Sequence, residues 1–318
     1  MSTAIETMTA TALVRKLRGE KWRRAKRYWL LYAIMLFPVV QLIIFHYIPI
    51  YGIVIAFKEY RLDMGFLRSP WNDFAHFKRM FASVYFGRII RNTLIISFYR
   101  IAFGFPAPIV LALLINEVQN MRFKKIVQSI SYRPHFMSWV VLASIIVEIL
   151  SPTRGIVGWI YALFGKEAPL LLTSQRAFRP LLIVTGVWQG VGWGTVVYLA
   201  ALSGIDPELY ESAAVDGANR FRMAIHITVP SLVPVMIVLF ILRLGHILSA
   251  GFDQIYNLYN PLVYEVADIL DTYIYRVGLF GRQYAFGTAV GLLKSGIGVI
   301  LIVGTNAIIR RFSEYGIW

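Results

Sequence analysis

Residues 29–57 read WLLYAIMLFPVVQLIIFHYIPIYGIVIAF, a run without Asp, Glu, Lys or Arg. A helix on the surface of a soluble domain keeps a polar face, and this stretch has none. About 20 apolar residues at about 1.5 Å each cross the roughly 30 Å of a bilayer's hydrocarbon, so the run reads as a transmembrane helix. It is too long for a signal-peptide core, and no small-residue cleavage site follows it. Arg15, Lys16, Arg18, Lys21, Arg23, Arg24, Lys26 and Arg27 stand just before it. Such a flank stays in the cytoplasm under the positive-inside rule. Pro38 and Pro49 are expected to bend the helix or end it early.

The rest of the chain agrees. It has 318 residues, 58% of them hydrophobic, with a mean hydropathy of +0.61; about 45–50% apolar is usual for a soluble protein. The net charge is +15 and the pI about 10.0. Basicity of this kind suits nucleic acid or an anionic membrane surface. No zinc-finger spacing or aromatic–basic RNA motif is present, so the membrane is favoured. The absence of cysteine excludes disulfides, thiol catalysis and cysteine metal sites.

Five more spans are expected, at about residues 92–115, 136–150 or a little beyond, 181–203, 231–250 and 284–309; the one at 136–150, third in the chain, is short. The fold class is therefore all-α, a polytopic bundle of about six transmembrane helices. A basic cytoplasmic segment (1–28) precedes the transmembrane domain (29–318). Six spans return the C-terminus to the cytoplasm, where Arg310 and Arg311 close the last helix. Arg122, Lys124 and Lys125 then fall on the cytoplasmic side, as expected. The external loop 58–91 runs against the rule, with Lys58, Arg61, Arg68, Lys78, Arg79, Arg88 and Arg91. Gly186, Gly190 and Gly194 on the fourth span, and Gly287 and Gly291 on the sixth, allow close helix approach, either within the chain or against a second membrane subunit.

Between the fourth and fifth spans the chain reads IDPELYESAAVDGA (205–218). Asp206 is a good N-cap and Pro207 suits the first helical position. Glu208 complements the positive end of the helix dipole, and Gly217 is a natural stop. A short helix of about three turns results, with small residues on one side where another surface can come close. A second helical stretch is expected from Asn219 to Pro230, with Phe221 and Ile225 on one face.

Glu211, Ser212, Ala213, Ala214, Asp216 and Gly217, followed by Ile227-Thr228-Val229-Pro230, resemble the EAA loop of bacterial ABC importer permeases, with Ser212 in place of the first alanine. Elsewhere Asn92-Thr93-Leu94, residues 112–117 (ALLINE), residues 132–140 (YRPHFMSWV) and residues 198–202 (YLAAL) resemble carbohydrate-uptake permeases, most of all the branch importing oligosaccharides and polysaccharide fragments, alginate among them. The resemblance implies a partner permease, two ATPase subunits that carry the ATP and magnesium, and an external solute-binding protein. It implies a coupling role for loop 204–230, and in particular for Glu211, Ala213, Asp216 and Gly217, and a place in the bacterial cytoplasmic membrane. No cofactor is expected on this chain, and ATP hydrolysis falls to the partners.

Ionisable groups within spans are expensive and commonly face a cavity or a partner. Arg100, Arg243 with His246 nearly one turn on, and Lys294 all fall near mid-membrane, about 12–18 Å into their spans at about 1.5 Å per residue. They read either as a basic lining for an anionic sugar such as a uronate oligomer, or as groups that pair with Glu148 or snorkel to an interface. A neutral oligosaccharide is the alternative cargo. A secondary transporter would usually show inverted repeats and no ATPase-docking loop. Gly165-Lys166 lacks phosphate-loop spacing. The histidines have no metal-site spacing, and most are expected to serve in packing or interfaces. Asp268 and Asp271 are expected on a solvated face.

Overall fold

The structure is a computed structural model that describes residues 26–245 and 247–312, the side chains of 308–312 excepted. Among the described residues there is no strand, only one isolated antiparallel bridge between Lys58 and Trp71. Five helices are long and apolar enough to cross a membrane, or six if one bent pair counts as a span.

Helix α1 (Trp29–Phe57) buries little. Only Ile55 and Ala56, near its end, reach the interior. It changes to a π-turn at Ile43–Tyr47 and to a tighter 3₁₀ turn at Tyr51–Phe57. These adjustments surround Pro49, whose missing N–H breaks the regular hydrogen-bond ladder. A long apolar helix that leaves most of its side chains uncovered needs lipid or another protein around it.

Loop 58–83 is a folded cap rather than free chain. Lys58 is buried, and its Nζ donates to the carbonyls of Phe66 and Leu67, both at 2.9 Å. The Ser69 hydroxyl donates to the Gly65 carbonyl at 2.7 Å. Helices α2 (Gly65–Arg68) and α3 (Ala75–Ala82) complete the cap. The lysine that opens this basic loop is thus held by backbone oxygens.

Helix α4 (Val84–Glu117) is followed by α5 (Met121–Phe136) and α6 (Trp139–Ile149), which meet at 106°. The short third span expected at 136–150 is here the second arm of that bent pair. Residues Arg133–Phe136 wind into a 3₁₀ turn around Pro134, and the chain restarts at Ser138, whose hydroxyl accepts from Val141 N–H. The eleven residues of α6 reach only about 16 Å, so a crossing here requires the bent pair. Helix α7 (Ile156–Leu163) leads to α8 (Gln175–Leu202).

The short helix expected between the fourth and fifth spans, α9, covers Pro207–Val215. Helix α10 then runs unbroken over Arg220–Gly245, so the separate stretch expected from Asn219 to Pro230 is instead the first part of the fifth span. A π-turn at Ala224–Thr228 lies just ahead of Pro230. That wider turn accommodates a residue with no N–H to donate. After α11 (Phe252–Leu258), helix α12 (Leu270–Tyr273) passes into a π-turn at Ile274–Phe280, and α13 (Tyr284–Phe312) closes the bundle.

Three apolar clusters hold these helices together. Ile96, Ile146, Phe178, Leu182, Ile255 and Ile269 join α4, α6, α8 and α11. Met80, Ile89, Leu270, Phe286 and Val290 seat the cap on α13. Ile109, Ala112, Tyr198, Leu202 and Leu232 join α4, α8 and α10. Three predicted packing glycines work within the chain. A Cβ on Gly186 would lie 3.3 Å from Gln254 Oε1, one on Gly194 2.8 Å from the Pro108 ring and one on Gly287 2.8 Å from the Gly278 Cα, while Gly190 and Gly291 face open space.

Candidate coupling loop and buried charges

Asp206 caps α9 by accepting from the Glu208 N–H at 3.0 Å. The helix ends as its sequence demands. Gly217 takes φ +77°, and Ala218 N–H bonds back to the Ala213 carbonyl at 2.9 Å. Glu211, Ser212, Ala214, Asp216 and Gly217 are exposed, and Ala213 is half-buried. Val215 is 89% exposed and Phe221 75%. An exposed acid beside bare apolar side chains and small residues gives a surface that another protein can cover.

Two links tie this loop to the spans, and neither stands out in the sequence. Tyr210 OH and Thr228 Oγ1 share a hydrogen bond of 3.0 Å, joining α9 to the π-turn of α10. Arg220 approaches Glu117 at 3.4 Å, joining the start of α10 to the end of α4. Glu117 closes the ALLINE segment at 112–117, whose resemblance to permeases is the only sequence signal for that link.

The charges within the spans divide into two groups. Arg100 on α4 donates to Gln254 Oε1, and Gln254 Nε2 donates to the Leu182 carbonyl and Thr185 Oγ1. Arg243 on α10 lies 3.5 Å from the Arg100 carbonyl. Lys294 on α13 has partners of its own. Its Nζ donates to both carboxylate oxygens of Asp271, at 2.6 and 2.8 Å, and to Ser249 Oγ at 3.3 Å. Its ion-pair partner is therefore Asp271; Glu148 is exposed and forms no ion pair with any of these groups among the described residues. His246 lies outside the described residues, as does most of the basic segment 1–28.

Asp268 and Asp271 are likewise not on a solvated face. Asp268 is 1% exposed and receives Arg276 through two bonds of 3.0 and 2.5 Å. Burial alone would lower Arg276, but the hydrogen bonds and charge of Asp268 outweigh it and hold the guanidinium above the ordinary arginine range. The reason is tertiary: segment 262–270 folds inward onto Asn92. The Asn92 Nδ2 donates to the carbonyls of Glu265 and Asp268, and its Oδ1 accepts from Arg179.

A cavity of about 760 Å³ opens between the end of α1 and α13, lined by Phe252, Asp271, Tyr275, Tyr284, Thr288 and Ser295 among others. Its walls combine aromatic faces with a few polar groups, the usual composition of a site for an organic ligand. The described residues hold no group of three His, Cys, Asp or Glu placed to bind a metal ion. Among the histidines, His135 stacks on Trp193 at 4.9 Å, and His76 bonds the Lys58 carbonyl at 3.1 Å.

Known proteins share this architecture. The chain is 42% identical over 288 residues to the polygalacturonan/rhamnogalacturonan transport system permease protein YteP of Bacillus subtilis (strain 168), covering 91% of this chain and 90% of that one. A chain of a bacterial ABC transporter involved in the import of the acidic polysaccharide alginate superposes with a TM-score of 0.85 at 43% identity, covering 92% of this chain and 99% of that one. A bacterial alginate ABC transporter in complex with alginate pentasaccharide-bound periplasmic protein gives 0.85 at 42% identity, covering 93% and 99%. The family model for binding-protein-dependent transport system inner membrane components matches residues 80–314, and with its helical spans in place the chain belongs to that family of membrane permeases.

Proposed function

We propose that the chain is one of two permease subunits of an ATP-driven importer that carries uronate-containing oligosaccharides across the bacterial cytoplasmic membrane. One observation carries the cargo assignment. Two separate likenesses above 40% identity, each over about nine-tenths of the chain, are to proteins described by their handling of polygalacturonan or alginate. Both polymers are built from sugars that bear carboxylates.

The charges offer partial support. The Asp271 carboxylate neutralises Lys294, which leaves Arg100 and Arg243 as the basic surface at mid-span. The cavity beside α13, with its tyrosines, would wall part of the route. Helix α9 would dock on an ATPase subunit, with Glu211, Ser212, Ala213, Ala214, Asp216 and Gly217 at the contact. Closure of the ATPase pair on ATP would pull α9, and the Tyr210–Thr228 and Arg220–Glu117 links would pass that movement to α10 and α4. Both termini would then be cytoplasmic, and an external binding protein would deliver the sugar to the opposite face.

ATPase activity of the assembled complex tests this reading. Binding protein loaded with trigalacturonate should stimulate hydrolysis several-fold over unloaded protein. Stimulation by a neutral trisaccharide but not by the uronate would overturn the acidic cargo, and hydrolysis indifferent to every loaded binding protein would overturn the importer.

A further inference from the structure

Glu117, the last residue of α4, lies beside the start of α10 at the coupling loop. The other ends of these two spans, at Val84 and Gly245, therefore face the opposite side of the bundle. There α3, the beginning of α4 and residues 264–286 enclose a second cavity, of about 510 Å³. Small-molecule sites usually occupy about 300–1,000 Å³.

Three guanidinium groups wall this cavity: Arg79, Arg88 and Arg276. Each is laid against an aromatic ring. Arg79 is 4.9 Å from the Phe286 centroid, Arg88 5.1 Å from Tyr85, and Arg276 4.7 Å from Tyr264. A ring face orients a cation but brings no net charge. Asp268 answers Arg276 alone. Among the described residues neither Arg79 nor Arg88 has a carboxylate within 4.0 Å, so two positive charges remain uncompensated.

Two further atoms narrow the ligand. Arg88 Nε, a donor, and Gln283 Oε1, an acceptor, are both buried without a partner, and both residues line the cavity. Unsatisfied buried polar atoms are few in proteins and call for an explanation. Chloride or sulfate would supply acceptors only. A ligand with a carboxylate and a neighbouring hydroxyl would satisfy both atoms, and guanidinium–carboxylate pairing is strong and directional.

We propose that this pocket is an outer subsite for one uronate unit of the oligosaccharide, with Arg79 and Arg88 taking the carboxylate and Gln283 accepting from a ring hydroxyl. The proposal rests on the acidic-cargo reading above.

The test is binding of fluorescent trigalacturonate to the nucleotide-free complex in phosphatidylcholine nanodiscs, without binding protein. Arg79→Gln with Arg88→Gln should weaken binding at least tenfold, and Gln283→Leu several-fold. The methyl-esterified trisaccharide should bind wild type at least tenfold more weakly than the acid. Should the double variant fail to assemble, the exposed Arg79→Gln alone should weaken binding at least threefold. Wild-type affinity in the double variant or, if that fails to assemble, in Arg79→Gln, equal binding of the ester, or displacement of the sugar by added phosphatidylglycerol would overturn the subsite. Uptake of trigalacturonate by cells separates the two readings. No uptake by wild type would overturn the cargo assignment, while binding still decides the pocket; uptake together with variant-independent binding would overturn the pocket alone.

Discussion

The ammonium of Lys294 sits between the two carboxylate oxygens of Asp271, at 2.6 and 2.8 Å, and so ties the last span to the short helix Leu270–Tyr273. The two side chains are only 20% and 19% exposed. Fully buried pairs lose about 3–5 kcal/mol when one member is removed, and exposed pairs about 0–1. Asp271→Asn is therefore expected to destabilise the complex by about 1–3 kcal/mol. Adding Lys294→Met should restore most of that loss, because it removes the stranded charge. Thermal unfolding of the detergent-solubilised complex measures both, and a double variant less stable than the single would contradict the pairing argument.

Gly192 on α8 lies against the backbone carbonyl of Ser131, where a Cβ would overlap it, whereas Gly190 has nothing within 4 Å of a built Cβ. Gly192→Ala must push α5 from α8 and is expected to cost about 1–3 kcal/mol, as overpacking does. Gly190→Ala should lie within about 0.5 kcal/mol of wild type. The thermal midpoints of the two variants provide the comparison. Equal midpoints would mean that the α5–α8 approach is looser than this.

That contrast shows what the sequence can and cannot reveal. The glycines at 186, 190 and 194 stand out because their spacing repeats, but among the glycines of α8 the one with the closest backbone neighbour is Gly192, outside that register. The first span and helix α9 are legible because their signals are local: an uncharged run, a capping Asp206 and a terminating Gly217. The bend between α5 and α6 is less so, because a 3₁₀ turn around Pro134 redirects a stretch whose hydropathy alone suggests a single helix. Partners of buried charges are the least legible. Asp271 and Lys294 are 23 residues apart, and Asn92 reaches carbonyls more than 170 positions away. Such pairs exist only once the spans are packed.

Asn92 gives a direct measure of that packing. It is fully buried, donates to two carbonyls of segment 262–268 and accepts from Arg179 at 2.8 Å. Asn92→Leu would leave two carbonyls and a guanidinium N–H without this partner. Each buried polar group left unsatisfied costs about 1–3 kcal/mol, so a loss of at least about 2 kcal/mol is expected. Limited proteolysis should cut first within 259–268, the segment released. Cleavage elsewhere with that segment still protected would speak against the tether.

The coupling loop permits a test in which stability and function separate. Gly217 is exposed and holds φ +77°, a region closed to proline, whose φ stays near −65°. Gly217→Pro therefore removes the turn that brings Ala218 N–H to the Ala213 carbonyl, but it disturbs only the surface around α9. Glu211→Lys reverses one exposed charge and leaves the helix caps in place. Neither side chain belongs to an apolar cluster of the bundle, so both variants should insert and assemble normally. If α9 transmits ATPase closure, both should lower uptake at least tenfold while ATP hydrolysis continues in the complex. Tyr210→Phe, which removes only the bond to Thr228, should lie between these variants and wild type. Uptake per transporter, measured beside ATPase activity at matched expression, decides the point. Normal uptake by both Gly217→Pro and Glu211→Lys would remove the coupling role from this loop.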